Sequence, residues 1–204
     1  MLRCENLTFS YDKAPVIHRL THTFEAGRIT AIVGESGIGK TTLFSLLCGL
    51  LRPDEGKILR ESKKIAVAFQ EPRLFPWMSA LQNVRAVSPK EGERAKELLV
   101  ALGLGDALDL LPDELSGGMK QRVSLARALH YDADIILLDE PFTGLDAETK
   151  QRVADYLFSY LEGKTVIMIT HGEEELSYAH TVLRLTKAPD SRLELVKSST
   201  REGE

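Results

Sequence analysis

Along the chain, short aliphatic runs alternate with stretches in which apolar residues recur every three or four positions. Ile29 to Val33, Ile65 to Phe69, Ile135 to Leu138 and Thr165 to Thr170 are rich in β-branched and aliphatic residues, the pattern of strands buried on both faces. Between them, Thr41 to Leu51, Pro89 to Leu102, Met119 to Tyr131 and Ala147 to Glu162 read as helices. In the last of these Val153, Leu157 and Leu161 repeat at four-residue spacing and share one face. This alternation predicts an α/β fold, a sheet covered by helices. The first 30 residues and the segment after Gly56 read as shorter, more polar strands, whereas 83–115 is helical in pattern with no strand run. We therefore expect one domain over 1–204 with a helical subdomain inserted at about 71–130, and a frayed polar tail over 197–204.

Composition narrows the function classes. A chain of 204 residues has room for one substantial core or two unequal subdomains, not two full-sized domains. With 43% apolar and 27% charged residues it lies far from the disordered corner. The longest nearly apolar stretch, Leu43 to Leu51, is about half of the ~18 residues that a membrane span needs. A net charge of −4 provides no global positive field, so nucleic acid is not an expected partner. No apolar run follows a basic start, which makes a cytoplasmic location the default expectation. Cys4 and Cys48 lie outside any CxxC or Cys/His spacing and read as small, reduced, buried side chains.

Candidate chemistry begins after the run Ile29-Thr-Ala-Ile-Val33. It is followed at once by Gly34-Glu35-Ser36-Gly37-Ile38-Gly39-Lys40-Thr41 and then by a helical pattern, which satisfies G-x-x-x-x-G-K-[ST] in its strand–loop–helix context. The glycines let successive N–H groups turn inward around phosphate oxygens, and the helix adds its positive end. In such a loop Lys40 bridges the β- and γ-phosphates, Thr41 ligates Mg2+, and Thr42 caps the helix or touches the α-phosphate. A second acidic site, Asp139-Glu140, ends the run Ile135 to Leu138, expected on a strand neighbouring the loop's. There Asp139 can hold a Mg2+ water ligand and Glu140 can polarise the water that attacks the γ-phosphorus. Leu115-Ser-Gly-Gly-Met-Lys-Gln-Arg-Val123 opens another helix, with Ser116 as N-cap and two glycines leaving backbone amides bare at a second phosphate-binding end.

LSGGMKQR, the loop at 34–41 and LLDEP at 137–141 together resemble the nucleotide-binding subunit of ATP-binding cassette (ABC) transporters, over nearly the whole chain. Singly, Tyr11 fits an edge-strand aromatic, Gln70 a strand-end polar group and His171 a helix cap; in the family's order and spacing they take roles. The resemblance implies a P-loop NTPase fold with a mixed central sheet, an N-terminal antiparallel β subdomain and an inserted helical subdomain. It implies that Tyr11 stacks on adenine and that Gln70 reaches Mg2+ and the attacking water. His171 contacts the γ-phosphate, and Asp146, in Gly144-Leu145-Asp146, communicates across a dimer. It further implies two half-sites per chain. ATP on the Gly34 to Thr41 loop is closed by Ser116, Gly117 and Gly118 of a second copy or a homologous subunit. Met119 stands where the family has glutamine and leaves the backbone donors unaffected.

FQEPRLFPWMSALQNV and LSGGM resemble importer ATPases of the nitrate, sulfonate and taurine group. The expected partners are then an integral membrane permease and an extracytoplasmic solute-binding protein, with the chain peripheral on the inner face of the membrane. An exposed cluster of Leu74, Phe75, Pro76 and Trp77 is the expected receiver of the permease, a satellite of the core being the plainer reading. No regulatory domain of the kind some relatives carry is expected after Leu195. An exporter ATPase differs in partner more than in chemistry. A DNA-repair or translation ATPase would add coiled coils, a second cassette or basic surfaces.

Overall fold

The computed structural model describes residues 1–62, 64–89 and 92–198. In chain order its elements are β1 (Leu2–Tyr11), β2 (Ala14–Phe24), β3 (Ile29–Val33), α1 (Lys40–Cys48), β4 (Glu55–Arg60), β5 (Ile65–Ala68), α2 (Ala80–Arg85), α3 (Gly92–Ala101), α4 (Gly117–His130), β6 (Ile135–Asp139), α5 (Ala147–Tyr160), β7 (Thr165–Ile169), α6 (Glu173–Leu176), β8 (Thr181–Leu185) and β9 (Leu193–Ser198). The strands form two sheets, β2-β1-β4 and β5-β6-β7-β3-β8-β9. In the larger, β5 to β8 run parallel and β9 returns antiparallel at the edge, so the sheet is mixed.

The aliphatic runs become central strands because both of their faces are covered. Ile136 and Leu138 of β6 point into a core shared with α2, α3, α4 and α5, while Ile135 and Leu137 point into a second core with α1 and the antiparallel sheet. In that second core Leu43, Phe44, Leu46 and Leu47 of α1 meet Leu2, Leu7, Ile17 and Leu20. The phosphate-loop helix is therefore clamped between two sheets, which fixes its N-terminus.

Several expectations change. α1 stops at Cys48 because Gly49 adopts the left-handed conformation (φ 84°) and turns its N–H back to Leu46 and Ser45; Leu50 lies beyond it and is exposed. β1 and β2 are longer than their sequence suggests, since bulges between Cys4 and Ser10 break the alternation on which strand recognition depends. β8 was not legible as a strand, and β9 takes in Lys197 and Ser198 of the expected tail; the rest of that tail lies outside the described residues. The expected helix from Pro89 begins at Gly92, with 90 and 91 outside the described residues. Between 71 and 130 the described residues hold helices and turns but no strand. Cys4 is buried, its thiol pushed up to about 12 by desolvation, but Cys48, the last residue of α1, is only half-buried.

Candidate functional site

The site follows from topology. Gln70 comes just after β5, Asp139 and Glu140 end β6, His171 follows β7, and the Gly34 to Lys40 loop follows β3. These four strands are neighbours in the order β5-β6-β7-β3, so their carboxyl ends bring the residues to one edge. β7 stands between β3 and β6, so the acid pair is one strand further from the loop than the sequence implied. The charges of Glu140 and Asp139 still act on Lys40 across that gap.

Gly37 and Gly39 take positive φ of 77° and 108°. At Gly39 a Cβ would also lie 2.8 Å from Val16, so this glycine serves both the turn and the approach of the β1–β2 ribbon. Lys40 is buried, with its ammonium donating at 2.8 Å to each of the carbonyls of Gly34 and Glu35. Burial lowers its pKa, against the opposing charges of Glu140 and Asp139. Tyr11, Ser36, Gly37, Gly39, Lys40, Thr41, Thr42, Gln70, Glu140 and His171 line one open cleft of about 410 Å³, together with Val16 and Ile169. Gly34, Glu35 and Ile38 line a separate groove with Arg184, Leu185 and Thr186, so they shape the loop from its outer side.

Glu140 is the hub of the acidic end. Gln70 Nε2 donates to it at 3.1 Å, Thr143 Oγ1 donates at 3.4 Å, and His171 Nε2 lies 3.5 Å from its other oxygen. Its backbone sits at φ 45°, a conformation that costs a non-glycine residue about 1–2 kcal/mol, held by its N–H donating to Ile169 at 2.9 Å. Asp139 is buried beside it, its carboxyl pushed up to about 6 by desolvation and then by the charge of Glu140. Thr41, Gln70 and Asp139 are hydroxyl, amide and carboxylate oxygen donors of the kind Mg2+ takes. No group of three His, Cys, Asp or Glu that could hold a metal alone occurs among the described residues. A cation here must share its shell with phosphate oxygens and water, as Mg2+ does in nucleotide sites.

Ser116, Gly117, Gly118 and Met119 do not line this cleft. Ser116 caps α4 by accepting from Met119 N–H at 3.2 Å. A Cβ on Gly117 would meet nothing within 4 Å, whereas one on Gly118 would lie 2.6 Å from the Gly144 carbonyl. The two glycines thus differ: one leaves the helix end bare, the other admits the Gly144–Asp146 turn. Asp146 caps α5, accepting from Thr149 N–H at 3.0 Å, and this bond lowers its pKa. Sequence reasoning missed Val16 and Thr143. Val16 lies on β2 two residues after Ala14, the cross-strand partner of Tyr11, and Thr143 lies three residues after Glu140, a turn's reach.

Beyond the cleft, Phe75 and Trp77 stand out from the surface, Trp77 at 70% exposure, while Leu74 is half-buried against the core and does not belong to the exposed cluster. Buried Asn83 fixes this loop, accepting from Phe75 N–H at 2.8 Å and donating to the carbonyls of Phe75, Met78 and Ser79. Arg127 of α4 donates to the carbonyls of Pro72 and Arg73.

A glycine loop between strand and helix with an inward lysine, and an acid pair at the carboxyl edge of a parallel sheet, define a P-loop nucleotide-binding ATPase. The ABC transporter family model matches residues 17–143, and the chain belongs to that family as an ABC ATPase. It is 40% identical over 184 residues to an aliphatic sulfonates import ATP-binding protein of Rhodococcus jostii, covering 86% of this chain and 75% of the relative. To a taurine import ATP-binding protein of Ruegeria pomeroyi it is 36% identical over 195 residues, 85% of this chain and 73% of the relative. The fold matches an ATP-binding cassette solved as a dimer in a post-hydrolysis state with ADP and Pi, at TM-score 0.86 and 26% identity over 100% of both chains.

Proposed function

We propose that the chain is the ATP-hydrolysing subunit of an importer, working at the cytoplasmic face of a membrane through a permease. It binds MgATP between two copies, or with a homologous subunit, and couples hydrolysis to uptake of a small anion of the nitrate, sulfonate or taurine kind. A solute-binding protein supplies that anion. The observation that carries the reading is the convergence on Glu140 of Gln70, Thr143 and His171, in the cleft that also holds the phosphate loop. The printed functions of the sulfonate and taurine relatives support import and the substrate class. No helix among the described residues is long and apolar enough to cross a membrane, in keeping with a subunit that reaches the bilayer through a partner.

Lys40 leaves the Gly34 and Glu35 carbonyls for the β- and γ-phosphates, and the N–H groups of Gly37 to Thr41 surround the phosphate oxygens. Tyr11, half exposed at the cleft mouth, stacks on adenine. Thr41, Gln70 and Asp139 would hold Mg2+, whose charge offsets that of the phosphates. Glu140 orients and polarises the attacking water, with Gln70 fixing the carboxylate and His171 facing the γ-phosphate. Ser116, Gly117, Gly118 and Met119, remote from their own chain's cleft, close the cleft of the second chain, and Asp146 lies along that contact.

Hydrolysis and size-exclusion chromatography test the reading. Lys40→Ala is expected to abolish turnover. Glu140→Gln is expected to bind ATP, lose at least about a hundredfold in kcat and accumulate as a dimer. Wild-type turnover in Glu140→Gln removes the catalytic assignment.

A further inference from the structure

The segment after His171 is bolted to α5 at two points. Glu175 of α6 is buried, accepts a hydrogen bond from the Thr170 hydroxyl, and meets Lys150 of α5 at 2.9 Å. The Thr170 hydroxyl in turn accepts from the Gly172 N–H at 3.1 Å, so the residues on both sides of His171 are tied to one oxygen. Further on, Tyr178 stacks on Phe158 of α5 at 4.2 Å between ring centroids and donates to Asp155 at 2.7 Å. Space beneath the loop is reserved for the carboxylate: a Cβ on Gly172 would lie 2.7 Å from Glu175 Oε1. Gly172 has an ordinary negative φ of −80°, so what it supplies here is room and not turn geometry. Glu140, Thr143, Thr170, His171 and Glu175 line one small cavity of about 150 Å³. α5 itself is capped by Asp146, just after the Gly144 turn that rests on Gly118.

We propose that Glu175, paired with Lys150, is a positioning residue for hydrolysis: it holds the His171 loop in register with α5 and hence with the Gly144–Asp146 turn. Neither side chain touches the nucleotide. They act through Thr170 and the backbone of 170–172, setting where the His171 imidazole stands relative to Glu140, 3.5 Å away. The couple also gives the bare end of α4 a route to the reacting phosphate: Gly118 rests on Gly144, the chain runs on through Leu145 to Asp146 and along α5 to Lys150, Lys150 meets Glu175, and Glu175 holds Thr170, the residue before His171. The inference rests on the reading of His171 as the γ-phosphate contact.

The test uses the full chain in Glu175→Gln, Lys150→Met and the combined variant, with His171→Ala as comparator, followed by steady-state hydrolysis, binding of a fluorescent ATP analogue and thermal unfolding. Glutamine keeps the acceptor for Thr170 and removes only the charge that meets Lys150. The expected result for Glu175→Gln is a fall of about tenfold in kcat with KM and nucleotide affinity within about twofold of wild type. The combined variant is expected to be no slower than Glu175→Gln, as for two residues acting as one unit, and Lys150→Arg, which keeps the cation, to stay within about twofold of wild type. Wild-type kcat in Glu175→Gln while His171→Ala is inactive overturns the inference and leaves the His171 role standing. Normal turnover in His171→Ala instead removes the reading on which the inference rests. A loss in Glu175→Gln that appears equally in KM, affinity and melting temperature makes the pair a structural one and overturns the positioning role.

Discussion

Cys4 shows what burial does to a single side chain. Its thiol, packed at the start of β1, is pushed up to about 12 from 9.0 by desolvation, partly opposed by Arg60. The folded chain therefore keeps this proton in a range where the unfolded chain has lost it. For an acid whose folded pKa is raised, the stabilising contribution is complete below 9 and disappears as pH climbs toward 12. Stability should thus fall by up to about 1.4 kcal/mol per pH unit between those limits from this group alone. Urea unfolding at pH 8.5 and 10 checks it: Cys4→Ala is expected to show a shallower alkaline loss than wild type, and equal slopes remove the assignment. Glu140 makes the complementary point. Its chemistry was legible as an acid after a strand, but its left-handed backbone and its three partners come from β5, β7 and the following turn. No local pattern carries the contacts with Gln70 and His171, 70 and 31 residues away.

At the scale of elements, the aliphatic runs and the four long helices were legible because burial on both sheet faces, or along one helix stripe, writes a period into the sequence. β1 and β2 were blurred by bulges, with Asn6 and Arg19 at positive φ of 48° and 51°. β8, Thr-Val-Leu-Arg-Leu, carries an exposed arginine in a short run next to the edge strand and so lacks the continuous apolar signature of its neighbours. The α4 N-terminus separates two glycines that sequence treats alike. Gly118→Ala drives a Cβ to 2.6 Å from the Gly144 carbonyl, an overpacking expected to cost about 1–3 kcal/mol and about 2–12 °C in melting temperature. Gly117→Ala meets nothing within 4 Å and is expected to leave the melting temperature unchanged while weakening ATP-driven dimerisation in a Glu140→Gln background. Calorimetry and size-exclusion chromatography on the two variants separate packing within the chain from contact between chains.

For the whole molecule, the sheet order explains why the candidate site was readable as a list but not as a place. Tyr11, Lys40, Gln70, Glu140 and His171 are spread over 160 residues of sequence, and only the order β5-β6-β7-β3 with the ribbon folded over it brings them to one cleft. The outward loop at Phe75 and Trp77 lies outside that cleft, so its role should separate from catalysis. Trp77→Arg is expected to keep hydrolysis within about twofold while weakening association with the permease at least about tenfold, since exposed tryptophans dominate binding surfaces. Co-purification with the permease measures it, and unchanged recovery would show that this loop is not the contact. The clamp on that loop has a mechanical meaning. Arg127, which grips Pro72 and Arg73, sits ten residues along α4 from Gly117, roughly 15 Å at 1.5 Å per residue. A hydrogen-bonded helix is stiff along its axis, so α4 can act as a push rod, with the Trp77 loop strapped near one end and the glycine end resting on the Gly144 turn at the other. A load arriving at the loop can be delivered to that end as displacement, without melting or re-forming any element in between.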